Sequence, residues 1–178
     1  MISRNIKIFI LNFLGIYNYD RRGESRIRKM YRLYAKGGLI NRFRALRMCN
    51  KIRKDYGINV HPSTQVGNNL YIAHCYGFTI GKTAIIGDNC RIYPNVHIAA
   101  KKLMGDTHGR RHAKVGNNCV LCINSTILGA ITIGDNVVIA ANALVTKDIP
   151  SNSLVTGINQ IRPLKGDEVV WNKNDWKE

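Results

Sequence analysis

The chain has 178 residues, 45% of them hydrophobic, with 27 Lys and Arg against 11 Asp and Glu. This length predicts one domain with an appendage. The net charge of +16 is compatible with nucleic-acid binding, but the sequence contains no recognisable nucleic-acid-binding fold, so we expect no such partner. Five cysteines without a paired framework and the lack of a cleavable signal peptide predict a cytoplasmic protein.

The basic residues are concentrated near the start of the chain. Residues 1–57 contain fifteen Lys and Arg and three acidic residues, for a net charge of +12, whereas residues 58–178 contain twelve and eight, for +4. We therefore treat residues 1–57 as a separate basic, α-helical segment. The apolar run over residues 6–17 is too short and too interrupted to span a bilayer.

Basic residues alternate with aliphatic and aromatic ones over residues 21–54. This pattern predicts two amphipathic helices that are broken at Gly37 and Gly38, with the first helix beginning at Ser25 after Gly23. Two roles are open for these helices. They cap the rest of the protein or a neighbouring subunit, or they make peripheral contact with an anionic membrane surface at the inner membrane face.

An aliphatic residue then recurs every six positions, with two interruptions. The thirteen positions are Val60, Val66, Ile72, Ile80, Ile86, Ile92, Ile98, Val115, Leu121, Ile127, Ile133, Ile139 and Val145. A period of six is neither that of a helix nor that of a two-sided strand. It is typical of hexapeptide repeats, in which each hexad forms one short strand and one corner of a β-helix.

Three hexads form one triangular coil of about eighteen residues, so thirteen hexads predict slightly more than four coils. The aliphatic residue of each hexad points inward and packs on its equivalents in the neighbouring coils. Corners such as Gly87-Asp88-Asn89 suit sharp turns, because these residues tolerate a positive φ or hydrogen-bond to nearby backbone. We expect the β-helix over residues 58–163 and a C-terminal tail over residues 164–178.

The two interruptions of the repeat contain the histidines of most interest. The step that follows Ile72 is eight residues long instead of six, and it contains His74. The longest gap follows Ile98, where a polar and basic segment predicts a protruding loop over residues 101–112 that includes His112. Loops on a regular scaffold are where binding and catalytic residues concentrate, so both histidines are candidates for chemistry.

Several strings resemble the left-handed β-helix acyltransferases, and most closely the serine acetyltransferase branch. The strings are Val60-His61-Pro62, Ala73-His74, Thr79-Ile80-Gly81-Lys82-Thr83-Ala84, Arg111-His112-Ala113-Lys114-Val115 and Ile127-Leu128-Gly129. The resemblance covers roughly 60% of the chain. It implies a mainly β fold, a left-handed coil, and a homotrimer with active sites between subunits.

The resemblance also implies catalytic roles. The histidine that matches His74 is the general base, which takes the proton of an acceptor hydroxyl while the oxygen attacks an acetyl thioester. His112 would orient the acceptor or stabilise the developing oxyanion, and Arg111 would hold an anionic group of the acceptor. Direct transfer is expected, because the sequence shows no activated nucleophile for an acyl-enzyme.

Two positions depart from the branch. Where its members have an aspartate that supports the base, this chain has Asn59, which accepts a hydrogen bond from imidazole but carries no charge. Where they have an aspartate that binds the ammonium group of serine, this chain has Ala73. We therefore expect the acceptor to be a sugar hydroxyl, on a small or lipid-linked saccharide, in the assembly of capsule, O-antigen or exopolysaccharide.

The donor implied by the resemblance is acetyl-coenzyme A, and no metal is expected. The pantetheine arm would lie along a groove between coils beside Ala100, Ile123 and Ala141, and Lys114 and Lys147 are candidates for binding the phosphates.

Three other functions are left open by the sequence. The first is the serine O-acetyltransferase of cysteine biosynthesis, and the second is a non-catalytic β-helix scaffold or membrane adaptor. The third is a metal lyase, because His74, His108 and His112 have broadly the spacing of the zinc ligands in γ-class carbonic anhydrases. The role of His108 is not defined by its pattern.

Overall fold

The computed structural model describes residues 19–101 and 109–164. Two helices come first, α1 (Tyr19–Ala35) and α2 (Leu39–Tyr56). The strands that follow are β1 (Asn59–Val60), β2 (Gln65–Val66), β3 (Tyr71–Ile72), β4 (Thr79–Ile80), β5 (Ile85–Ile86), β6 (Arg91–Ile92), β7 (His97–Ala99), β8 (Lys114–Val115), β9 (Val120–Leu121), β10 (Thr126–Leu128), β11 (Thr132–Ile133), β12 (Val138–Ile139), β13 (Leu144–Val145), β14 (Ser153–Thr156) and β15 (Gln160–Pro163).

Every third strand pairs in parallel, which gives three sheets that wind as a β-helix. Sheet A has the order β1-β4-β7-β10-β13, sheet B the order β11-β8-β5-β2, and sheet C the order β15-β14-β12-β9-β6-β3. The final pair, β14 and β15, is antiparallel and forms a hairpin. The predicted fold class, a mainly β protein built as a parallel β-helix behind an α-helical segment, is confirmed.

The predicted hexad positions are partners in neighbouring coils. In sheet A the aligned residues are Val60, Ile80, Ile98, Ile127 and Val145. Successive circuits between these partners take 20, 18, 29 and 18 residues, so the two long circuits contain the two interruptions of the repeat. The additional residues fall between strands in the chain, and the register of the strands is kept.

The borders between sheets are named here because the site residues lie on them. The C/A border comprises residues 73–78, 93–96, 122–125 and 140–143, which lead from sheet C into sheet A. The A/B border comprises residues 61–64, 81–84, 100–101 with 109–113, 129–131 and 146–148, which lead from sheet A into sheet B.

The core is the stack of inward-pointing aliphatic side chains. Twelve of the thirteen hexad positions are buried. The remaining one, Val66, is only partly buried and packs against the core from the first coil. Burial of each such side chain contributes about 1.5–3 kcal/mol, so the stack is the main source of stability for the coil.

The two helices cover the open end of the first coil. The buried face of α2 consists of Ala45, Cys49, Ile52 and Tyr56. The Cys49 thiol donates a hydrogen bond of 2.9 Å to the carbonyl of Val60, the first hexad position. The described helices therefore act as a cap, which is one of their two predicted roles. Among the described residues, neither helix is long and apolar enough to cross a membrane.

The break between the two helices lies where the sequence predicts it, but α1 starts earlier in the chain than predicted. Gly37 and Gly38 have φ angles of 68° and 76°, which end one helix before the next begins. However, α1 runs through Gly23 and does not start at Ser25, so that prediction is wrong. Gly23 is buried, and a methyl group there would overlap the Cys75 thiol. This glycine permits close packing of helix against coil and does not break the helix.

A ladder of asparagines connects the coils where sheet B leads into sheet C. Its members are Asn69, Asn89, Asn118, Asn136 and Asn152, with φ angles of 55° to 58°. The Nδ2 group of each donates to Oδ1 of the next at 3.0–3.1 Å. A left-handed φ costs most L-residues about 1–2 kcal/mol, so asparagine both tolerates the turn and bonds the coils together.

We expect Asn118→Ala to lower the free energy of unfolding by about 2–4 kcal/mol, because it removes two ladder hydrogen bonds and strains the backbone. Asn118→Gly is the matched control, since it loses the same bonds but accepts the positive φ, and it should cost about 1 kcal/mol less. Urea denaturation measures both values. Equal losses would show that the φ angle is unimportant, and no loss in either variant would disprove the ladder.

Candidate active site

His74 lies exposed on the C/A border, with a φ of 46°. Its turn, residues 73–78, is two residues longer than the turns 93–96, 122–125 and 140–143 on the same border. Cys75 and Phe78 of this turn are fully buried, whereas His74 and Tyr76 are exposed. The longer turn is therefore anchored in the core at two points and leaves the imidazole at the surface.

Asn59 is next to this turn in the fold. Its backbone N–H donates to the carbonyl of Phe78 at 3.0 Å, and its side-chain Oδ1 accepts a 3.1 Å hydrogen bond from Arg53 of α2. The sequence did not indicate Arg53 as a partner. Because an amide oxygen has a second lone pair, Oδ1 can also accept a hydrogen bond from the His74 ring. The support of His74 by Asn59 stays a prediction. Ala73 is buried and offers no polar group beside His74.

His112 lies half-buried on the A/B border in the third coil. Gly81 and Thr83 form the site that holds its ring, which we call the seat. Its ring lies against Gly81, where a methyl group would overlap the imidazole. The Thr83 hydroxyl is 2.8 Å from His112 Nδ1, and the Thr83 backbone N–H donates to the same nitrogen at 3.4 Å. Burial lowers the pKa of His112, and the positive charge of Arg111 lowers it further, so both effects favour the neutral form of the ring.

The two arginines that precede His112 have different surroundings. The Arg110 guanidinium donates to the carbonyls of His112 and Ile131 at 2.9 and 2.7 Å, which ties the end of the loop to the next coil. The backbone N–H of Arg111 donates to Thr83 Oγ1 at 2.8 Å. The sequence pointed to Arg111 alone. It missed Arg110, Thr83 and Gly81, because spacing along the chain does not show contacts between coils.

The predicted site residues fall into two groups on opposite borders of sheet A. His74, Ile123 and Ala141 are on the C/A border, with Asn59 beside it. Ala100, Arg111, His112 and Lys147 are on the A/B border, with Lys114 directly after it. Sheet A separates the groups within one chain. The structure therefore groups the donor candidates Ile123 and Ala141 with His74, and it does not place His74 and His112 on the same border.

The described residues contain no group of three or more His, Cys, Asp and Glu side chains that could hold a metal ion. His108, which belongs to the metal alternative, lies outside the described residues, as do residues 102–107 of the predicted loop.

A known repeat family matches part of the β-helix. The bacterial transferase hexapeptide family (six repeats) matches residues 112–147. The match covers part of the β-helix and is consistent with the left-handed coil that the sequence resemblance implies.

Serine acetyltransferases are homologues of this chain. The enzyme of Synechococcus elongatus is 40% identical over 102 residues, which are 57% of this chain and 41% of the relative. That of Staphylococcus epidermidis is 39% identical over 118 residues, which are 66% of this chain and 54% of the relative. The crystal structure of Neisseria gonorrhoeae serine acetyltransferase has a TM-score of 0.69 at 29% identity, over 85% of this chain and 55% of that one. The chain thus spans about half the length of these relatives.

The comparisons correct the expectation of a sugar acceptor in polysaccharide assembly. That expectation was based on two missing carboxylates, at Asn59 and Ala73. The identity to serine acetyltransferases extends over more than 100 residues, and the structural neighbours carry the same name. Two missing carboxylates do not outweigh similarity of this extent.

Proposed function

We propose that the chain is an acetyl-coenzyme A-dependent serine O-acetyltransferase. The observation that carries the proposal is the 40% identity to a serine acetyltransferase over 102 residues. The positions of His74, exposed on a core-anchored turn, and of His112, held against Gly81 and Thr83, support the same chemistry. A base and a hydrogen-bond donor are the two groups that acetyl transfer to a hydroxyl requires.

In the proposed reaction His74 accepts the proton of the serine hydroxyl as its oxygen attacks the thioester carbonyl. A C–O bond forms, and the carbonyl electrons move to its oxygen to give a tetrahedral oxyanion. His112 donates a hydrogen bond to this oxyanion. As the intermediate collapses, the C–S bond breaks, and the proton on His74 passes to the departing thiolate, so that the base is regenerated.

Recognition of serine would rely on its carboxylate more than on its ammonium group. Arg111 carries a guanidinium that suits a carboxylate. The buried Ala73 offers no carboxylate for the ammonium. The acceptor is therefore held from one end, and a high KM for serine is the expected consequence.

The assembly that fits the two separated groups of residues is a homotrimer. His74 and His112 lie on opposite borders of sheet A, so one complete site needs the C/A border of one chain and the A/B border of a second. The donor would then lie between Ile123 and Ala141 of one subunit and Ala100 of the next, with Lys114 and Lys147 near its phosphates. Closed rotational symmetry produces such a site at each interface.

We expect His74→Ala to lower kcat for serine acetylation by roughly 10²–10⁴-fold, because the base is lost. Thiol release from acetyl-coenzyme A with serine as acceptor measures this. His97→Gln is the control for general loss of a histidine, since His97 lies within strand β7 and has no predicted role. Unchanged turnover in His74→Ala would disprove the mechanism. No thiol release by the unaltered protein with serine would disprove the function and favour the non-catalytic scaffold.

The proposal also includes peripheral contact of α2 with an anionic membrane surface. One side of this helix exposes Leu39, Ile40, Phe43 and Leu46 at 87%, 72%, 61% and 44% of their surface. Residues 19–57 contain thirteen Lys and Arg and three acidic residues, for a net charge of +10. We call these four apolar residues the stripe. The positive charges around the stripe repel a second copy of the same helix, whereas they attract an anionic lipid surface, into which the apolar side chains can insert.

We expect Arg44→Gln with Arg47→Gln to weaken sedimentation with phosphatidylserine vesicles by more than about tenfold, since each basic residue near the surface contributes about 1 kcal/mol. Leu39→Ser with Phe43→Ser should weaken it as well, because the apolar contact is lost. Lys114→Gln, on the β-helix, is the control and should have little effect. Equal binding to neutral vesicles, or self-association through the stripe without vesicles, would contradict the membrane contact.

A further inference from the structure

Two polar groups of Thr83 approach one nitrogen of His112. The Thr83 backbone N–H can only donate, and it is directed to Nδ1 at 3.4 Å. The Thr83 hydroxyl is 2.8 Å from the same nitrogen. The hydrogen of the shorter bond belongs either to the Thr83 hydroxyl or to Nδ1, and this decides the tautomer of the neutral ring.

The other contacts of Thr83 answer this question. Its Oγ1 accepts hydrogen bonds from the backbone N–H groups of Arg111 at 2.8 Å and His112 at 3.3 Å. A hydroxyl oxygen has two lone pairs, and these two donors occupy both of them. The hydroxyl hydrogen is then left to donate to Nδ1. Nδ1 is therefore the unprotonated nitrogen, and the neutral ring carries its hydrogen on Nε2.

We propose that Thr83 is a positioning residue that holds His112 in the Nε2–H tautomer, so that His112 acts as a hydrogen-bond donor and not as a base through Nε2. Gly81 is the second part of this seat, because only a residue without a side chain lets the ring lie where Thr83 reaches it. The catalytic consequence rests on the proposed acetyl transfer. A neutral N–H group aimed at a developing oxyanion stabilises it without reorganisation at the moment of reaction.

Thr83 contacts both the ring of His112 and the backbone beside it. The same hydroxyl that orients the imidazole binds the backbone of residues 111 and 112, where the chain returns to the coil. The Arg110 guanidinium fixes this return from the other side through the carbonyl of His112. The histidine is thus fixed by its backbone and its ring together.

The test combines nitrogen NMR with kinetics on the full chain. Long-range ¹H–¹⁵N correlation spectra of protein labelled with ¹⁵N-histidine report the tautomer, and His112→Gln identifies the signals. The unaltered protein and Thr83→Ser should show the Nε2–H form. Thr83→Val keeps the shape but lacks the hydroxyl, and it should show a mixture of tautomers. We expect kcat of Thr83→Val to fall on the order of tenfold at nearly unchanged KM for acetyl-coenzyme A, with recovery in Thr83→Ser.

The outcomes separate the seat from the function. An Nδ1–H ring in the unaltered protein, or an unchanged tautomer in Thr83→Val, overturns the proposal whether or not the protein acetylates serine. A changed tautomer with unchanged kcat overturns the link to catalysis. If no acetyl transfer is found, the spectra still decide the tautomer while the proposed function fails. Thr83→Ala replaces Thr83→Val if the valine variant does not fold.

Discussion

The parallel stacking of coils is the constraint on which the rest of this structure depends. Each short strand bonds its backbone to the strands of the coils before and after it, as Gly81 N–H does to the Ile98 carbonyl at 3.0 Å. The inward aliphatic residues must also stay above one another, as Ile80, Ile98 and Ile127 do. Residues that exceed three hexads per coil cannot enter a sheet without breaking both kinds of contact, so they leave the coil at a border.

This constraint places chemistry at the borders. The two additional residues of the first circuit lie in the turn that exposes His74, and the eleven of the third circuit belong to the stretch between β7 and β8 that contains His112. The turn is anchored by the buried side chains of Cys75 and Phe78, and the segment at His112 is held to the preceding coil through Thr83. Because sheet A lies between the two histidines within one chain, the proposed function requires that chains associate.

The sequence predicts those features that depend on order along the chain. The period of six gives the fold class, the inner positions and the two places where the coil lengthens. It does not reveal contacts between coils, and for this reason the seat of His112 on Gly81 and Thr83 was missed. The sequence likewise predicts Gly23 to be a helix breaker, because its close approach to Cys75 exists only in the fold. The acceptor was also predicted wrongly, because two missing carboxylates say less about a substrate than similarity over the whole repeat.

Mixing two inactive variants tests the shared site most directly. His74→Ala and His112→Ala are produced separately and then denatured and refolded together in equal amounts, and serine acetylation is measured. If each site takes His74 from one subunit and His112 from the next, random trimers restore an intact site at about one quarter of the interfaces, and activity should return to that level. A mixture that forms mixed trimers and stays as inactive as its components would contradict the shared site.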